Sequence, residues 1–451
     1  MWGRRIIAVA AACLAIGLGD GAKAQDAQAG LPAALEALQA GDGRTALALT
    51  NRVIAQNPRN IDALLLKSRI LFLYGQAREA RDVARAAFEA SGDLAPARYA
   101  SALRLAELNA ADGNYPLSQF WIRRALPYAR SDAEVQQLSQ VYQTVKDRNP
   151  WRFSFSAGIA PNSNINNGSS EDLIYLYGLP FVLSPTAQAL SGYTGQADAT
   201  LRYRVSQTDR SQTWIGIEGA GKVNWLDRTS RAAAPGARGS DYNFYSLGIT
   251  ATHIQLVGEG TRLEFTGRAG RNWYGGSKLS DFFGAGVSAT VPIAEGRDAL
   301  TLSARGDRAL LVQGGLSPET TLRAAATYAH QLSWGDRVSA ELSYAKTFSA
   351  NAPQVYGLPR VELEYDFGRP IMGAHFEIGA SYGYKDYSVS PYTASGRQDH
   401  ILAGHVSAEF RNFSVLGFAP VVTVEGKRVW SNVPLYSQTS LSGGISFESR
   451  F

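Results

Sequence analysis

Several residue types are scarce in this sequence, and each shortage closes off a class of function. Its 451 residues include one cysteine, Cys13, and two methionines. A single thiol builds neither a disulfide framework nor a thiolate zinc site. The five histidines, His253, His330, His375, His400 and His405, form no H-x-x-x-H or H-E-x-x-H spacing, so no metal and no cofactor are expected. Charged residues are 18% and the formal net charge is +5, without the clustered basic excess that a nucleic-acid partner needs. No G-x-S-x-G string isolates a nucleophilic serine, so no catalytic residue is assigned and the chain is expected not to be an enzyme. Beyond the first 25 residues no run reaches the roughly 18 consecutive apolar positions of a membrane helix.

Glycine and tyrosine are plentiful, with 45 and 21 residues, and they are unevenly spread. The first segment reads as a leader. Arg4 and Arg5 precede an apolar stretch from Ile6 to Leu18, and Ala22-Lys23-Ala24 supplies an A-x-A cleavage pattern. This pattern predicts a secretory signal peptide over residues 1–24. Its removal would take away Cys13 and lower the net charge to +3, because Arg4, Arg5 and Lys23 leave with only Asp20.

Residues 25–148 are rich in Ala, Leu and Arg, with apolar positions at helical spacing. Self-similarity has a period of 34: Ala34, Gly41, Ala46, Val53 and Pro58 align with Ser68, Gly75, Ala80, Ala87 and Gly92. A third copy follows a four-residue slip near Pro96, with Ala102, Ala106, Gly113, Ser118 and Ala125. Small residues let paired antiparallel helices pack closely, and glycine turns the chain between them. The period and the small-residue positions resemble the tetratricopeptide repeat (TPR). Three helix pairs and a further helix at 132–146 predict a small TPR-like solenoid. Its concave face would be lined in the second repeat by Asp62, Leu65, Arg69 and Phe72, a candidate groove for a peptide segment of a cargo protein. A simple spacer would use the same helices.

From Asn149 onward the period changes to two. In Thr261–Trp273 one face carries Leu263, Phe265, Ala269 and Trp273, and the other carries Arg262, Glu264, Thr266, Arg268 and Asn272. The alternation predicts 14 strands, near 151–160, 196–206, 212–225, 242–256, 261–273, 281–293, 299–310, 320–333, 337–349, 359–367, 373–384, 398–410, 417–428 and 438–451. Long connections at 161–195, 226–241, 311–319, 350–358 and 385–397 alternate with tight ones such as Gly258-Glu259-Gly260 and Trp334-Gly335-Asp336. An even count, with short and long connections in turn, is the pattern of an antiparallel transmembrane β-barrel in the outer membrane. Residues 149–451 are therefore expected to form that barrel in contact with outer-membrane lipid, with 25–148 in the periplasm. Parity places Glu218, Glu264, Asp307, Glu341, Glu362, Glu364, Glu377, Glu409, Lys222, Arg262, Arg268, Arg305, Arg323 and Lys427 in the lumen. His375 and His405 share that parity. Phe265, Trp273, Tyr344, Tyr382 and Tyr384 take the lipid-facing one. The terminal Phe451 resembles the signal read by the barrel-assembly machinery, an expected partner.

Two strings extend the likeness to one family. Asn149-Pro150-Trp151, followed by Ala160-Pro161-Asn162-Ser163-Asn164-Ile165-Asn166, and Phe418-Ala419-Pro420 with Ser431-Asn432-Val433-Pro434-Leu435-Tyr436 resemble segments of the surface lipoprotein assembly modifiers, the Slam proteins. Asn162 stands where that family has Asp. The resemblance implies an outer-membrane translocator that assists export or surface display of a partner lipoprotein or secreted protein, and it brings no catalytic residues. Two other functions fit a helical array on a barrel: a polysaccharide exporter, which would want an aromatic lumen, and a passive porin.

Overall fold

The computed structural model describes residues 24–312, 316–413 and 418–449. The leader Met1–Lys23 and the assembly-signal residue Phe451 lie outside them. The chain divides into two compact units between Asn149 and Pro150.

Among the described residues the first unit has seven α-helices: α1 (Ala24–Gln39), α2 (Gly43–Gln56), α3 (Ile61–Leu73), α4 (Ala77–Ala90), α5 (Ala95–Ala111), α6 (Tyr115–Ala125) and α7 (Asp132–Arg148). Side-chain caps start several of them. Asp42 accepts from the Thr45 amide at 3.0 Å, Asn60 from Ala63 at 3.0 Å and Ser131 from Glu134 at 3.2 Å, each satisfying a donor that the helix start leaves open. The expected turn glycines are required by backbone geometry. Gly41, Gly75 and Gly113 have φ of 83°, 79° and 74°, where a side chain would be strained. The expected small residues sit between paired helices, with Ala34, Ala46, Ser68, Ala80, Ala102 and Ser118 all fully buried. Two serines clasp their pairs: Ser68 Oγ donates to the Ala80 carbonyl and Ser118 Oγ to the Ala106 carbonyl, both at 2.8 Å. The four-residue slip has a plain cause. Helix α5 has 17 residues against 13 in α3, one extra turn, with Pro96 in its first turn where no amide is needed.

The second unit is a closed antiparallel barrel. Its strands are β1 (Trp151–Asn162), β4 (Gly192–Gln207), β5 (Ser211–Leu226), β6 (Phe244–Val257), β7 (Thr261–Tyr274), β8 (Ser277–Ile293) and β9 (Asp298–Leu311). Then come β10 (Glu319–Gln331), β11 (Arg337–Ser349), β12 (Tyr356–Asp366), β13 (His375–Tyr387), β14 (Arg397–Glu409), β15 (Phe418–Ser431) and β16 (Gln438–Ser449). Each pairs with its neighbours in the chain, and β1 closes on β16. All 14 expected strands are present. A small hairpin, β2 (Leu173–Leu176) with β3 (Leu179–Val182), lies inside the long first connection. Parity read for the barrel strands could not place it.

Register fixes the two faces. Thr200, Glu218, Gly248, Gly270, Phe282, Ala309 and Glu319 are successive cross-strand partners, and most of them border the cavity inside the barrel. Their pleat is the lumen face. The opposite pleat is apolar and bare: Phe153 is 66% exposed, Leu342 65% and Ile249 63%. Leaving one such side chain in water costs on the order of 1.5–3 kcal/mol relative to burying it, so this wall is suited to hydrocarbon. Aromatic residues bound it. Trp151 packs on Tyr203 toward one end, their rings 4.8 Å apart, while cross-strand partners Tyr193–Trp225 and Tyr245–Trp273 stand toward the other. Along β4 the step from Tyr203 to Tyr193 corresponds to about 25 Å of height at ordinary strand rise and tilt. That matches the apolar band of an outer-membrane barrel.

The alternation of connections is less regular than expected. The end from which β1 starts carries 208–210, 258–260, 294–297 and 332–336, but also the longer 367–374 and 410–417. The far end carries 163–191, 227–243, 312–318, 350–355, 388–396 and 432–437, but also Gly275-Gly276 alone. With φ of 57° and 80°, these two glycines make the tightest hairpin turn available. The pattern read from sequence breaks there because β8 runs on through Ser277–Ser280, past a register shift opposite Asn272/Trp273, and the shift spoils its period of two.

The two longest far-end connections have a core of their own, formed by Ile165, Leu190, Leu226 and Ala234. Asp227 ties them together: it accepts from Ser191 Oγ at 2.6 Å and from the Ser230 amide at 2.8 Å. These bonds, led by that of Ser191, hold its carboxyl below the usual carboxylate range. Because the folded value is the lower one, this tie contributes at neutral pH and is lost as pH falls through that value.

Candidate functional site

The four expected groove residues share one face of α3, at spacings of three and four. Asp62 is exposed, and Leu65, Arg69 and Phe72 are half-buried. Helix α3 packs beside α1 and α5 as well as its own partner α4. Sequence reasoning missed Arg104. From α5 it donates through Nη2 to the Ser68 carbonyl at 3.1 Å, pairs with Glu107 at 3.1 Å, and lays its guanidinium over the Phe72 ring at 5.4 Å. Burial lowers its pKa, and Glu107 opposes the shift. Arg104 thus fastens neighbouring repeats and covers part of the apolar surface that Phe72 would otherwise offer. Its spacing within α5 carries no sign of this, since the contact depends on how two repeats stack.

In the barrel, the charged residues expected in the lumen all fall on the lumen pleat by register. They are largely paired. Arg323 meets Glu341 at 2.5 Å, Arg360 meets Glu362 at 2.9 Å, and Asp307 takes both Arg268 at 3.0 Å and Arg305 at 2.7 Å. The Asp307 pairing depends on a glycine. Arg268, Gly284 and Asp307 form one row across β7, β8 and β9, and a Cβ on Gly284 would lie 2.0 Å from Asp307 Oδ1. Only a glycine there lets the carboxylate cross β8. His405 similarly occupies space over Gly379 and bonds Glu377 at 3.0 Å, while His375 meets Arg411 at 3.1 Å. The two histidines therefore serve different partners. No group of three or more His, Cys, Asp or Glu side chains able to hold a metal occurs among the described residues. A lumen cavity of about 470 Å³ is bordered by Asp198, Glu218, Phe244, Arg268, Phe282 and Asp307.

The five aromatics given lipid-facing parity do lie on the outer pleat. The lumen nevertheless has aromatics of its own. Trp214, paired with Arg204, has the guanidinium groups of Arg152 and Arg204 over its ring, each at 5.3 Å. Toward the far end the Arg397 guanidinium lies 3.8 Å from the ring centres of both Tyr387 and Tyr436 and pairs with Asp399 at 3.0 Å. Such stacking over two rings is a strong use of a cation–π contact. Burial pushes the Tyr436 phenol up. Tyr387 and Arg397 fall in the stretch 385–397 that the sequence presents as a long connection, whereas β13 and β14 run on through them and place both on the lumen pleat; Tyr436 arrives from a turn and has no period to read.

Both family-like strings are structural fasteners. Asn166 Oδ1 accepts from the Leu190 amide at 2.8 Å while its Nδ2 donates to the Gln188 carbonyl at 2.7 Å, and Asn162 Oδ1 accepts from the Asn164 amide at 2.9 Å. Asn432 accepts from the Gln398 amide at 2.8 Å, drawing the 432–437 turn against β14.

No family profile and no curated protein matches the chain. Solved structures resemble its two halves separately. The N-terminal domain of stress-induced protein-1 from C. elegans is 18% identical over 27% of this chain and 98% of its own, with a TM-score of 0.24. The TPR2B domain of yeast Sti1, solved in complex with pHsp70, is 16% identical over 28% and 99%, with a TM-score of 0.25. OmpT of Vibrio cholerae, an outer-membrane protein, is 10% identical over 66% and 98%, with a TM-score of 0.35. The architecture itself defines the class: a TPR-like helical array joined in one chain to a closed, 14-stranded barrel of outer-membrane type.

Proposed function

We propose that this chain is an outer-membrane translocator that assists export or surface display of a partner protein, lipidated or soluble, and that it does so without catalysing a reaction. The helical array recruits the cargo in the periplasm and the barrel provides the passage. Assembly of the barrel by the general machinery, and membership of the Slam family, belong to the same reading. The observation that carries it is the union of a repeat face with a barrel whose lumen is polar and ion-paired. A passive porin has no use for the helical array. The polysaccharide-exporter reading gains from the lumen aromatics Trp214, Tyr387 and Tyr436, but these rings are occupied by arginines and do not form a bare sugar-stacking track.

The reading requires a definite orientation. β1 starts on the side of the turns 208–210 and 258–260, so that side must face the periplasm, where cargo arrives. A peptide tag in Arg231–Gly239 should be labelled on intact cells, and one at Gly258-Glu259 only after the outer membrane is breached. The opposite labelling would put the recruiting half on the cell surface and end this reading.

A further inference from the structure

The 163–191 connection leaves from β1 and returns to β4, but the hairpin in its middle reaches well beyond both. Its turn residue Tyr177 donates from its hydroxyl to the Pro391 carbonyl at 3.1 Å, in the connection between β13 and β14. Round the barrel, β16 and β15 stand between β1 and β14. The connection therefore passes over the far ends of two strands, and a line of hydrogen bonds marks the route. Gln438 Nε2 donates to the Asn167 carbonyl at 2.7 Å, Ser169 Oγ to the Pro434 carbonyl at 3.0 Å, and the Ser170 amide to the Ser437 carbonyl at 2.8 Å.

The turn 432–437 beneath this route leans toward the lumen. Its Tyr436 ring meets the Arg397 guanidinium, which also covers Tyr387, and both partners stand on the lumen pleat. Tyr392, from the 388–396 connection, packs edge-on against Tyr436 with ring centres 5.9 Å apart. A hairpin that rests on 432–437 and ends on 388–396 is thus carried over the mouth of the barrel, not along its outer wall.

Base and tip are held unequally. At the base, Asn164 Oδ1 accepts from the Gly168 amide at 2.8 Å and its Nδ2 donates to the Gly168 carbonyl at 3.0 Å. Ile165 and Leu190 share their buried core with Leu226 and Ala234. The hairpin, residues 173–182, carries no charge. Tyr177 is 73% exposed and Val182 82%. Among the described residues, the Tyr177 hydroxyl makes the hairpin's one hydrogen bond to the rest of the chain. A tight turn at Tyr177 and Gly178, with φ of 52° and 79°, keeps the two short strands together. A stiff element with a fixed base and a lightly held tip opens at low cost, as active-site flaps do.

We propose that the β2–β3 hairpin is a flap over the far mouth of the barrel, shut where Tyr177 meets the 388–396 connection and opened when that contact breaks. This goes beyond the translocator reading, because the flap controls whatever solute uses the lumen.

The test needs no cargo. The full chain in a planar phospholipid bilayer is followed by ion current. Tyr177→Phe removes a single hydroxyl, and the open fraction should rise about fivefold, the ordinary worth of one hydrogen bond. A second variant closes the same contact. Cys13 is the only natural cysteine, so in a Cys13→Ala background Tyr177→Cys and Pro391→Cys can be bridged by a reducible thiol cross-linker. The bridged chain should stay shut, and cutting the bridge should restore the openings. Equal current before and after the bridge is cut would overturn the proposal, as would an unchanged open fraction in Tyr177→Phe. Failure of the two cysteines to join, when each alone reacts with a thiol reagent, would place the hairpin away from 388–396 and overturn it as well. The translocator reading would survive each of these results, because surface display of cargo tests it separately.

Discussion

Replacing Leu342 with arginine should destabilise the barrel in a bilayer by about 2–4 kcal/mol, although Leu342 is among the most exposed side chains in the chain. In a soluble protein such a surface change falls within about 0.5 kcal/mol. Leu342 sits near the middle of β11, between Ala326 and Val361 on the outer pleat. A cation placed there must enter hydrocarbon. The neighbouring position gives the control. Ser343 faces the lumen beside Arg323, whose Nη2 lies 3.4 Å from Ser343 Oγ, and Ser343→Asn should cost under about 1 kcal/mol, as a change on the wet face. Denaturant titration of the barrel refolded into lipid vesicles reads both. If Leu342→Arg is as mild as Ser343→Asn, the outer wall does not face lipid.

Deleting residues 25–148 should abolish delivery while sparing the barrel. All fourteen barrel strands lie after Asn149 and pair only with one another, and the helical unit has its own core around Ala34, Ala46, Leu66 and Ile70. The truncated chain should therefore still show heat-modifiable migration on gels. Surface display of cargo should fall at least about tenfold, the effect of losing about 1.4 kcal/mol or more of recruitment free energy. Undiminished display would mean that the helices act as a spacer. Failure of the truncated barrel to fold would mean that the two units are not independent.

The parts legible in the sequence are those that repeat. Small residues at a 34-residue period foretell the Ser68 and Ser118 clasps, because close packing of paired helices leaves room for nothing larger. Alternation at period two foretells which pleat carries Leu342 and which carries Glu341, because a strand between water and hydrocarbon has no other solution. What stayed hidden depends on neighbours distant in the chain. Gly284 looks like any glycine in a Gly-rich barrel until Asp307 is seen reaching across it toward Arg268. Arg104 matters only once α5 lies beside α3. Tyr436 reaches Arg397 from a turn. Asp62, Leu65, Arg69 and Phe72 were legible as one helix face, but the Arg104 guanidinium over Phe72 was not.

If a polypeptide crosses the outer membrane with the help of this chain, loss of the chain must change what the cell surface carries. The most direct measurement compares the proteins released by protease from intact cells that carry the gene with those released from cells that lack it, alongside the periplasmic contents of each. At least one protein should disappear from the surface set of the deleted cells, accumulate in their periplasm, and return to the surface when the full chain is restored. An unchanged surface set, with a polysaccharide lost from the medium or only small-solute permeability altered, would contradict it.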